Sequence, residues 1–303
     1  MHKSVLLDEC IYNLSLKEDS IIVDCTLGFA GHSSEILKKI KRGKLYAFDQ
    51  DPIAIEASQK RLEAIALNYE IIESNFAYLK EELAKRGVTS VNGILFDLGV
   101  SSPQLDEAER GFSFHKDARL DMRMNPNQKL SAYEVVNTYC YEDLVHIFYT
   151  YGEEKYSASI ASAIVKNRPI ETTLELAEII KNSVPEKYRR EKHPARKVFQ
   201  AIRIEVNDEL NVLKKAINDA LELIDVGGRI CVITFHSLED KIVKKIFKEI
   251  STIPNELKGL PIIPEELEVK FKMFGVIEPT EKELLENNRS RSAKLRIVER
   301  IKR

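Results

Sequence analysis

Residues 21–33 read Ile-Ile-Val-Asp-Cys-Thr-Leu-Gly-Phe-Ala-Gly-His-Ser. An apolar strand ends in an acid, a Gly-containing turn follows, and a helix starts at once. Such a turn lets backbone amides approach a ligand closely at a helix N-terminus. Twenty-five residues past Asp24, a second apolar strand, Lys44–Phe48, ends in Asp49. An acid at that place accepts hydrogen bonds from both hydroxyls of a ribose. The pair points to a ligand that contains a nucleoside.

The first hundred residues continue this alternation. Strands are expected at Ser20–Cys25, Lys44–Phe48, Tyr69–Glu73 and Gly93–Phe96, with helices at Ser33–Lys41, Ile53–Leu67 and Phe76–Arg86 between them. Strand–helix alternation argues for a parallel sheet covered on both faces. After Asp97 it stops. From about 104 to 200 no strand pattern is evident, and Ser131-x-x-Glu134 and Thr172-x-x-Glu175 read as capping boxes that open helices. A long helix is expected from about Pro194, with Val198, Ile202, Val206, Leu210 and Leu213 on one face. The alternation resumes with Asp225–Gly228 as a turn into a strand at Arg229–Phe235. A helix follows at Leu238–Ile250, then a surface loop at 254–264 and two late strands near Glu268–Phe274 and Ala293–Glu299. The expectation is an α/β core, residues 1–103 and 204–303, split by an all-α insertion at 104–203.

No apolar run approaches the roughly 18 residues of a membrane span, and the apolar stretch near Met1 is too short for a signal peptide. Cys10, Cys25, Cys140 and Cys231 form no CxxC pair. They are expected to be four buried, inert thiols in a cytosolic protein, with no metal site. The net charge of −2 conceals two basic stretches: residues 187–203 and 289–303 each carry seven basic side chains and one acidic. Local basic patches on a near-neutral chain suggest a polyanion touched at defined places. A solvated helix face and a frayed tail would produce the same counts.

Two classes of cofactor share the loop-plus-acid pattern. Dinucleotide enzymes use Gly-x-Gly-x-x-Gly so that a pyrophosphate can sit on the helix N-terminus. Gly28-Phe29-Ala30-Gly31-His32-Ser33 lacks that spacing, and Asp24 would repel a pyrophosphate. An acid there would attract the ammonium of a methionine moiety. The loop therefore favours S-adenosylmethionine over NAD, with Asp24, Gly28 and Asp49 as contacts. Phe76 could pack on an adenine or simply fill the core, and Asp51, before Pro52, reads as a helix cap.

At the end of the fourth strand, Asp97-Leu98-Gly99-Val100-Ser101-Ser102-Pro103-Gln104 puts an acid and small polar residues at the sheet edge where such folds bind ligands. Methylation of an exocyclic amine needs an acceptor there, because the nitrogen lone pair is delocalised into the ring. A carboxylate accepting the N–H favours the pyramidal nitrogen that attacks, and can take the proton. Asp97 is the candidate. Phe235-His236-Ser237, at the end of the fifth strand, offers an aromatic and an imidazole to an extruded base, so His236 is a second candidate. By themselves these residues fit cytosine or adenine, in RNA or DNA. They also leave open an NAD-dependent oxidoreductase and a non-catalytic RNA-binding or assembly factor.

Taken in order, further blocks carry a resemblance. They are His2 through Glu9 (HKSVLLDE), Asp24 through Ser33, Asp49-Gln50-Asp51-Pro52, Asp97 through Asp106 (DLGVSSPQLD), Arg110 through Phe114 (RGFSF), Leu120 through Met124 (LDMRM), Tyr151 through Glu154 (YGEE), His193-Pro194-Ala195 with Phe199 through Ile204 (FQAIRI), Phe235 through Asp240 (FHSLED) and Arg289 through Arg296 (RSRSAKLR). On these the chain resembles the bacterial 16S rRNA (cytosine-N4)-methyltransferases, which modify a cytosine near the peptidyl site of the small ribosomal subunit. The resemblance implies a class I S-adenosylmethionine-dependent methyltransferase fold, Rossmann-like with a mostly parallel sheet, and a helical substrate-recognition insertion. It implies cofactor contacts at Ala30, Gly31, His32, Asp49, Phe76, Asp97 and Gln104. The family usually has Gly where this chain has Ala30, and a main-chain contact there survives if φ stays negative. The resemblance also gives the basic stretches a task, phosphate contacts on rRNA by Arg189, Arg190, Lys192, Arg196, Lys197, Arg203, Arg289 and Arg291, with Phe112, Phe114 and Phe199 as candidate stacking rings. Monomer and dimer are equally compatible with it.

Overall fold

A computed structural model describes residues 4–191, 193–253 and 268–303. The chain divides into two compact units, residues 1–99 with 210–303 and residues 100–209.

The first unit is built on seven strands: β1 (Ile21–Asp24), β2 (Lys44–Asp49), β3 (Tyr69–Glu73), β4 (Val91–Asp97), β5 (Ile224–Thr234), β6 (Phe271–Met273) and β7 (Lys294–Arg300). Their order across the sheet is β3-β2-β1-β4-β5-β7-β6. β1 to β5 run parallel, and β7 lies antiparallel to both β5 and β6. This is the Rossmann-like, mostly parallel sheet that the resemblance implies. The order reverses between β1 and β4, so the crevice at a topological switch point opens beyond their C-terminal ends. The strands that flank that reversal are nearly continuous apolar runs. Ile22, Val23, Ile94, Leu95 and Phe96 are all fully buried, as strands covered on both faces require.

Fourteen helices are present among the described residues. Four lie before the insertion: α1 (Leu7–Asn13), α2 (Gly31–Lys39), α3 (Pro52–Glu63) and α4 (Leu79–Lys85). The second unit holds α5 (Ser102–Asp106), α6 (Ala132–Thr138), α7 (Tyr141–Thr150), α8 (Ser157–Lys166), α9 (Thr173–Asn182), α10 (Glu186–Glu191) and α11 (Ala195–Asn207). After it come α12 (Glu209–Leu223), α13 (Ser237–Ile250) and α14 (Glu281–Glu286). Ser131 and Thr172 cap α6 and α9 in reciprocal boxes with Glu134 and Glu175, the arrangement their spacing encodes. Leu144, Phe148, Ile160, Ile164, Leu176, Ile180, Val198 and Ile202 form the centre of a core belonging to this unit alone.

Three local features depart from the sequence reading. The long helix beyond Pro194 is broken. Asp208 stands between α11 and α12 with φ of 49°, a conformation that Asn and Asp tolerate better than most residues. Asn207 anchors the break: its amide nitrogen donates to the carbonyls of Met122 and Arg203, both at 2.9 Å. Asp225–Gly228, expected as a turn before the strand, bulges out within β5. Val91 pairs with Ile224 and Gly93 pairs with Arg229, so four residues of β5 stand opposite one of β4. Cys140 is exposed rather than buried, whereas Cys10, Cys25 and Cys231 are buried. Its sulfur caps α7, accepting from the Asp143 amide at 3.4 Å, and a cap sits at a helix end where solvent reaches it. The loop expected at 254–264 lies outside the described residues.

Gly152 shows how closely backbones pack in the second unit. A Cβ there would stand 2.6 Å from the Phe148 carbonyl oxygen and 2.9 Å from that of Lys197. Both neighbours are backbone and neither can swing aside. Gly152→Ala should lower stability by about 1–3 kcal/mol, read as an earlier midpoint in chemical unfolding.

Candidate active site

The site begins with a buried carboxylate. Asp24 ends β1 and is 1% exposed. Its Oδ1 accepts from the Thr26 amide at 3.0 Å, and its Oδ2 accepts from the Ser33 hydroxyl at 2.7 Å. The acid thus ties the loop and the first turn of α2 to the strand tip. Both oxygens are engaged within the fold, so Asp24 shapes the loop instead of presenting a bare carboxylate to a ligand. The loop reaches on to β4: the Asp97 amide donates to Thr26 Oγ1 at 2.7 Å.

Gly28, with φ of +49°, turns the loop. Its amide donates to Asp49 Oδ2 at 2.8 Å. Asp49 Oδ1 accepts from the amides of Gln50 and Asp51 at 2.8 and 2.9 Å. Burial raises the Asp49 carboxyl to about 6 against the pull of these three amides. Asp51 caps α3 by accepting from the Ile53 amide at 3.1 Å, as the Pro52 that follows it suggests.

Ala30 is the N-cap of α2, with φ of 57° and ψ of 34°. The condition of a negative φ is not met. A side chain in this left-handed region costs roughly 1 kcal/mol, and the family's usual glycine there would avoid that cost. Gly31 follows with no room for a side chain, since a Cβ would fall 1.8 Å from Ser4 Oγ. The segment before α1 therefore lies directly on the loop. Glu283 helps to hold it there, accepting from the Leu6 amide at 2.8 Å.

His32, 5% exposed, stands in the first turn of α2. Its Nε2 is 3.1 Å from the Val5 carbonyl oxygen. Its Nδ1 is 3.5 Å from Asp97 Oδ2. Asp97 ends β4, and among the described residues its enclosed Oδ1 has no hydrogen-bond partner. Burial pushes the Asp97 carboxyl up to about 6; His32 pulls it down, and Asp24 and Glu239 push it further up. Gly99, two residues on, has φ of +97°, and a Cβ there would lie 3.5 Å from the Phe235 ring. Phe76 opens a short turn after β3 and meets Phe96 edge-on, with ring centroids 5.7 Å apart.

His236 is the N-cap of α13. Its Nδ1 accepts from the Glu239 amide at 3.5 Å, and its Nε2 lies 3.1 Å from Glu239 Oε1. The buried Glu239 also accepts from the Phe235 amide at 2.8 Å. The ring read as a partner for a base thus has a structural task as a cap. The signal for it lies in the sequence, a Glu three residues past the cap position. Val5, Thr26, Ser33 and Glu239 hold the site together, and sequence reasoning gave none of them a role.

In the second unit, Gln104 is buried in α5, and its Oε1 accepts from the Ser101 amide at 3.0 Å. Phe112 and Phe199 are core residues. Phe114 stacks on His193 at 4.9 Å between ring centroids. Of the basic residues, Arg196 is exposed, and the exposed Arg190 pairs with Glu186. Arg189 Nη1 reaches the Lys181 carbonyl at 3.5 Å, and Lys197 Nζ donates to the Glu153 carbonyl at 2.7 Å. Arg203 departs from its expected role. Its guanidinium makes a bidentate, largely buried pair with Glu209 at 2.7 and 2.8 Å, which neutralises its charge inside the fold. Lys192 lies outside the described residues. Arg289 and Arg291 lie in a tight turn before β7, the latter exposed.

An acid ends each of β1, β2 and β4, and a glycine-containing loop joins β1 to α2. A family model described as the MraW methylase family matches residues 1–301. The chain belongs to the MraW methylase family. It is 57% identical over 307 residues to the Ribosomal RNA small subunit methyltransferase H of Exiguobacterium sibiricum, covering 99% of this chain and 98% of that protein. The crystal structure of an rRNA methylase from Streptococcus thermophilus matches over 100% of this chain and 99% of its own, at 14% identity and a TM-score of 0.45. Membership in a methylase family resolves the choice between a methyl and a hydride donor, and S-adenosylmethionine is the cofactor.

The raised Asp97 carboxyl has a consequence for stability. An acid held near 6 in the fold and near 3.9 when unfolded penalises the folded state above about pH 6, and the penalty vanishes below about pH 4. Asp97→Asn should therefore be more stable than the parent by about 1–3 kcal/mol at pH 8. The gain should fade towards pH 4 in unfolding curves measured across that range.

Proposed function

We propose that this protein methylates N4 of a cytosine in 16S rRNA, near the peptidyl site of the small ribosomal subunit, in the cytoplasm. S-adenosylmethionine, when bound, supplies a sulfonium methyl for transfer to nitrogen with release of the neutral thioether. Every other task falls to the chain. The observation that carries the reading is the enclosed, unpartnered Oδ1 of Asp97 at the tip of β4.

The residues present fit that cofactor. Gly28 and Gly31 put two residues without side chains at the amino end of α2, a place suited to a carboxylate. Among the described residues Asp49 Oδ2 accepts from the Gly28 amide alone and keeps a lone pair for a ribose hydroxyl. Phe76 offers a ring edge beside the same sheet margin. A carboxylate at Asp97 attracts a sulfonium and accepts the N–H of the target amine. That hydrogen bond favours the pyramidal nitrogen, and the same oxygen takes the proton the amine must lose. Holding nitrogen and methyl in line supplies much of the remaining acceleration. His236 contributes here by capping α13, which steadies the Phe235 loop beside Gly99.

The helical unit, residues 100–209, is read as the substrate-recognition part. Its exposed cations, Arg190 and Arg196, with Arg291 of the first unit, suit phosphate contacts that position RNA without reading its sequence.

Asp97→Ala should abolish transfer of labelled methyl to small-subunit rRNA while circular dichroism stays unchanged. Near-parental turnover would remove Asp97 from the chemistry. Mass spectrometry of rRNA nucleosides, with and without the protein, tests the base: a product other than N4-methylated cytidine would overturn that part. Arg190→Glu with Arg196→Glu should weaken RNA binding several-fold and reduce its dependence on salt, with cofactor affinity unchanged. An unaltered salt slope would show this face to be merely solvated.

A further inference from the structure

We propose that His236 reads the target base: its Nε2–H donates to ring nitrogen N3 of the cytosine while Asp97 Oδ1 accepts from the neighbouring amine. The inference rests on the reading of Asp97 given above and adds the second point of contact that fixes the base.

Among the described residues, two buried side-chain atoms have no hydrogen-bond partner: Asp97 Oδ1 and His236 Nε2. An unpaired polar atom opposes folding when it is buried, so a neighbouring pair of them calls for a ligand. The two residues stand at the C-terminal ends of adjacent strands. Asp97 ends β4 opposite Ile233 of β5, and His236 follows Ile233 by three residues. Glu239 lies close to both. Its charge acts on Asp97, and its Oε2 accepts from the Phe235 and His236 amides at 2.8 and 3.2 Å.

The two atoms are of opposite kind. His236 Nδ1 accepts from the Glu239 amide at 3.5 Å, and a nitrogen that accepts carries no hydrogen. The ring's hydrogen is therefore on Nε2, and a second proton would not remove it. Glu239 Oε1 stands 3.1 Å from Nε2 without aligning for a hydrogen bond. The side chain is 10% exposed, so the N–H is largely withheld from bulk water, and the cap at Nδ1 fixes its direction. Asp97 Oδ1, in the ionised acid, can only accept. A donor beside an acceptor matches the edge on which an amine adjoins a bare ring nitrogen, as N4 adjoins N3 in cytosine. Adenine offers the same pattern at N6 and N1, so the contact selects the amino edge and not the ring size. Uracil presents the reverse, O4 beside N3–H, and meets like with like at both points. One hydrogen bond would let the base pivot about the amine. Two hold its plane, and with it the face of the amine that the methyl must approach.

Two variants of the full-length protein divide the ring's tasks. Asn puts its amide oxygen in the place of Nδ1 and keeps the cap, with nothing in the place of Nε2. Gln extends an N–H to the place of Nε2 and gives up the cap. His236→Asn should unfold close to the parental denaturant midpoint and bind S-adenosylmethionine as the parent does. It should lose about tenfold in kcat/KM for small ribosomal subunits. His236→Gln should be less stable and recover part of that loss. Parental kcat/KM in His236→Asn would overturn the proposal. The deciding substrate is a reconstituted subunit with 3-deazacytidine at the target, which keeps the amine and lacks the N3 lone pair. The parent should lose about tenfold on it, and His236→Asn less than about threefold, because the contact is already gone. Equal losses in the two proteins would overturn the proposal. If neither variant folds, the parent alone decides: turnover of the 3-deaza substrate at the normal rate rules the contact out. The two readings fail separately. Equal losses with an N4-methylated product remove the N3 contact and leave the base assignment, whereas a different product removes the assignment itself.

Discussion

The buried carboxylate of Asp24 organises the rest of the site. Two hydroxyls and one amide converge on it, from the loop and from α2. Thr26 brings the loop, Ser33 brings α2, and through Thr26 Oγ1 the tip of β4 is held as well. A buried acid without such partners would cost several kcal/mol. With them it fixes the geometry of three elements at once. The loop has few conformations that satisfy Asp24, so Gly28 and Ala30 adopt positive φ and Gly31 is brought against Ser4.

How much of this could be read from the chain depends on the range of the interaction. The strands around the switch point are legible because burial on both faces forces unbroken apolar runs, and β1, β2, β3 and β4 fall within a residue or two of their expected limits. The capping boxes at Ser131 and Thr172 are legible because both partners lie within one helical turn. The acids Asp24, Asp49 and Asp97 are legible as strand-tip residues because an apolar run ending in an acid has little other explanation in a parallel sheet.

What escaped the sequence depends on contacts made far along the chain. Asp208 breaks a helix whose apolar period runs straight through it, because Asn207 is held by Met122 more than eighty residues away. Arg203 sits amid basic neighbours, and only the fold brings it onto Glu209. Ala30 carries no mark of its left-handed backbone, since that conformation is imposed by the loop around it. Asp24 shows the limit most plainly. The residue type and its place were evident, but its direction was not, and an acid expected to face a ligand faces Thr26 and Ser33 instead.

Several of these features oppose folding. Burial raises the carboxyls of both Asp49 and Asp97 to about 6, and Ala30 bears backbone strain. A chain selected for stability alone would have exposed the two acids or replaced them, and would have put glycine at position 30. The acids make sense when the chemistry is counted. A carboxylate in water, with its pKa near 4, is a weak base towards an amine losing its proton. The same group held near 6 binds that proton roughly a hundredfold more tightly while remaining largely ionised at neutral pH. Burial alone would achieve this only by pushing the group towards neutrality, and Asp24 and Glu239 add to that push. The imidazole of His32, 3.5 Å from Oδ2, pulls the other way. A tuned acid therefore requires both the desolvating sheet edge and the neighbouring ring, which is why the segment carrying Val5, remote in sequence from β4, belongs to the active site.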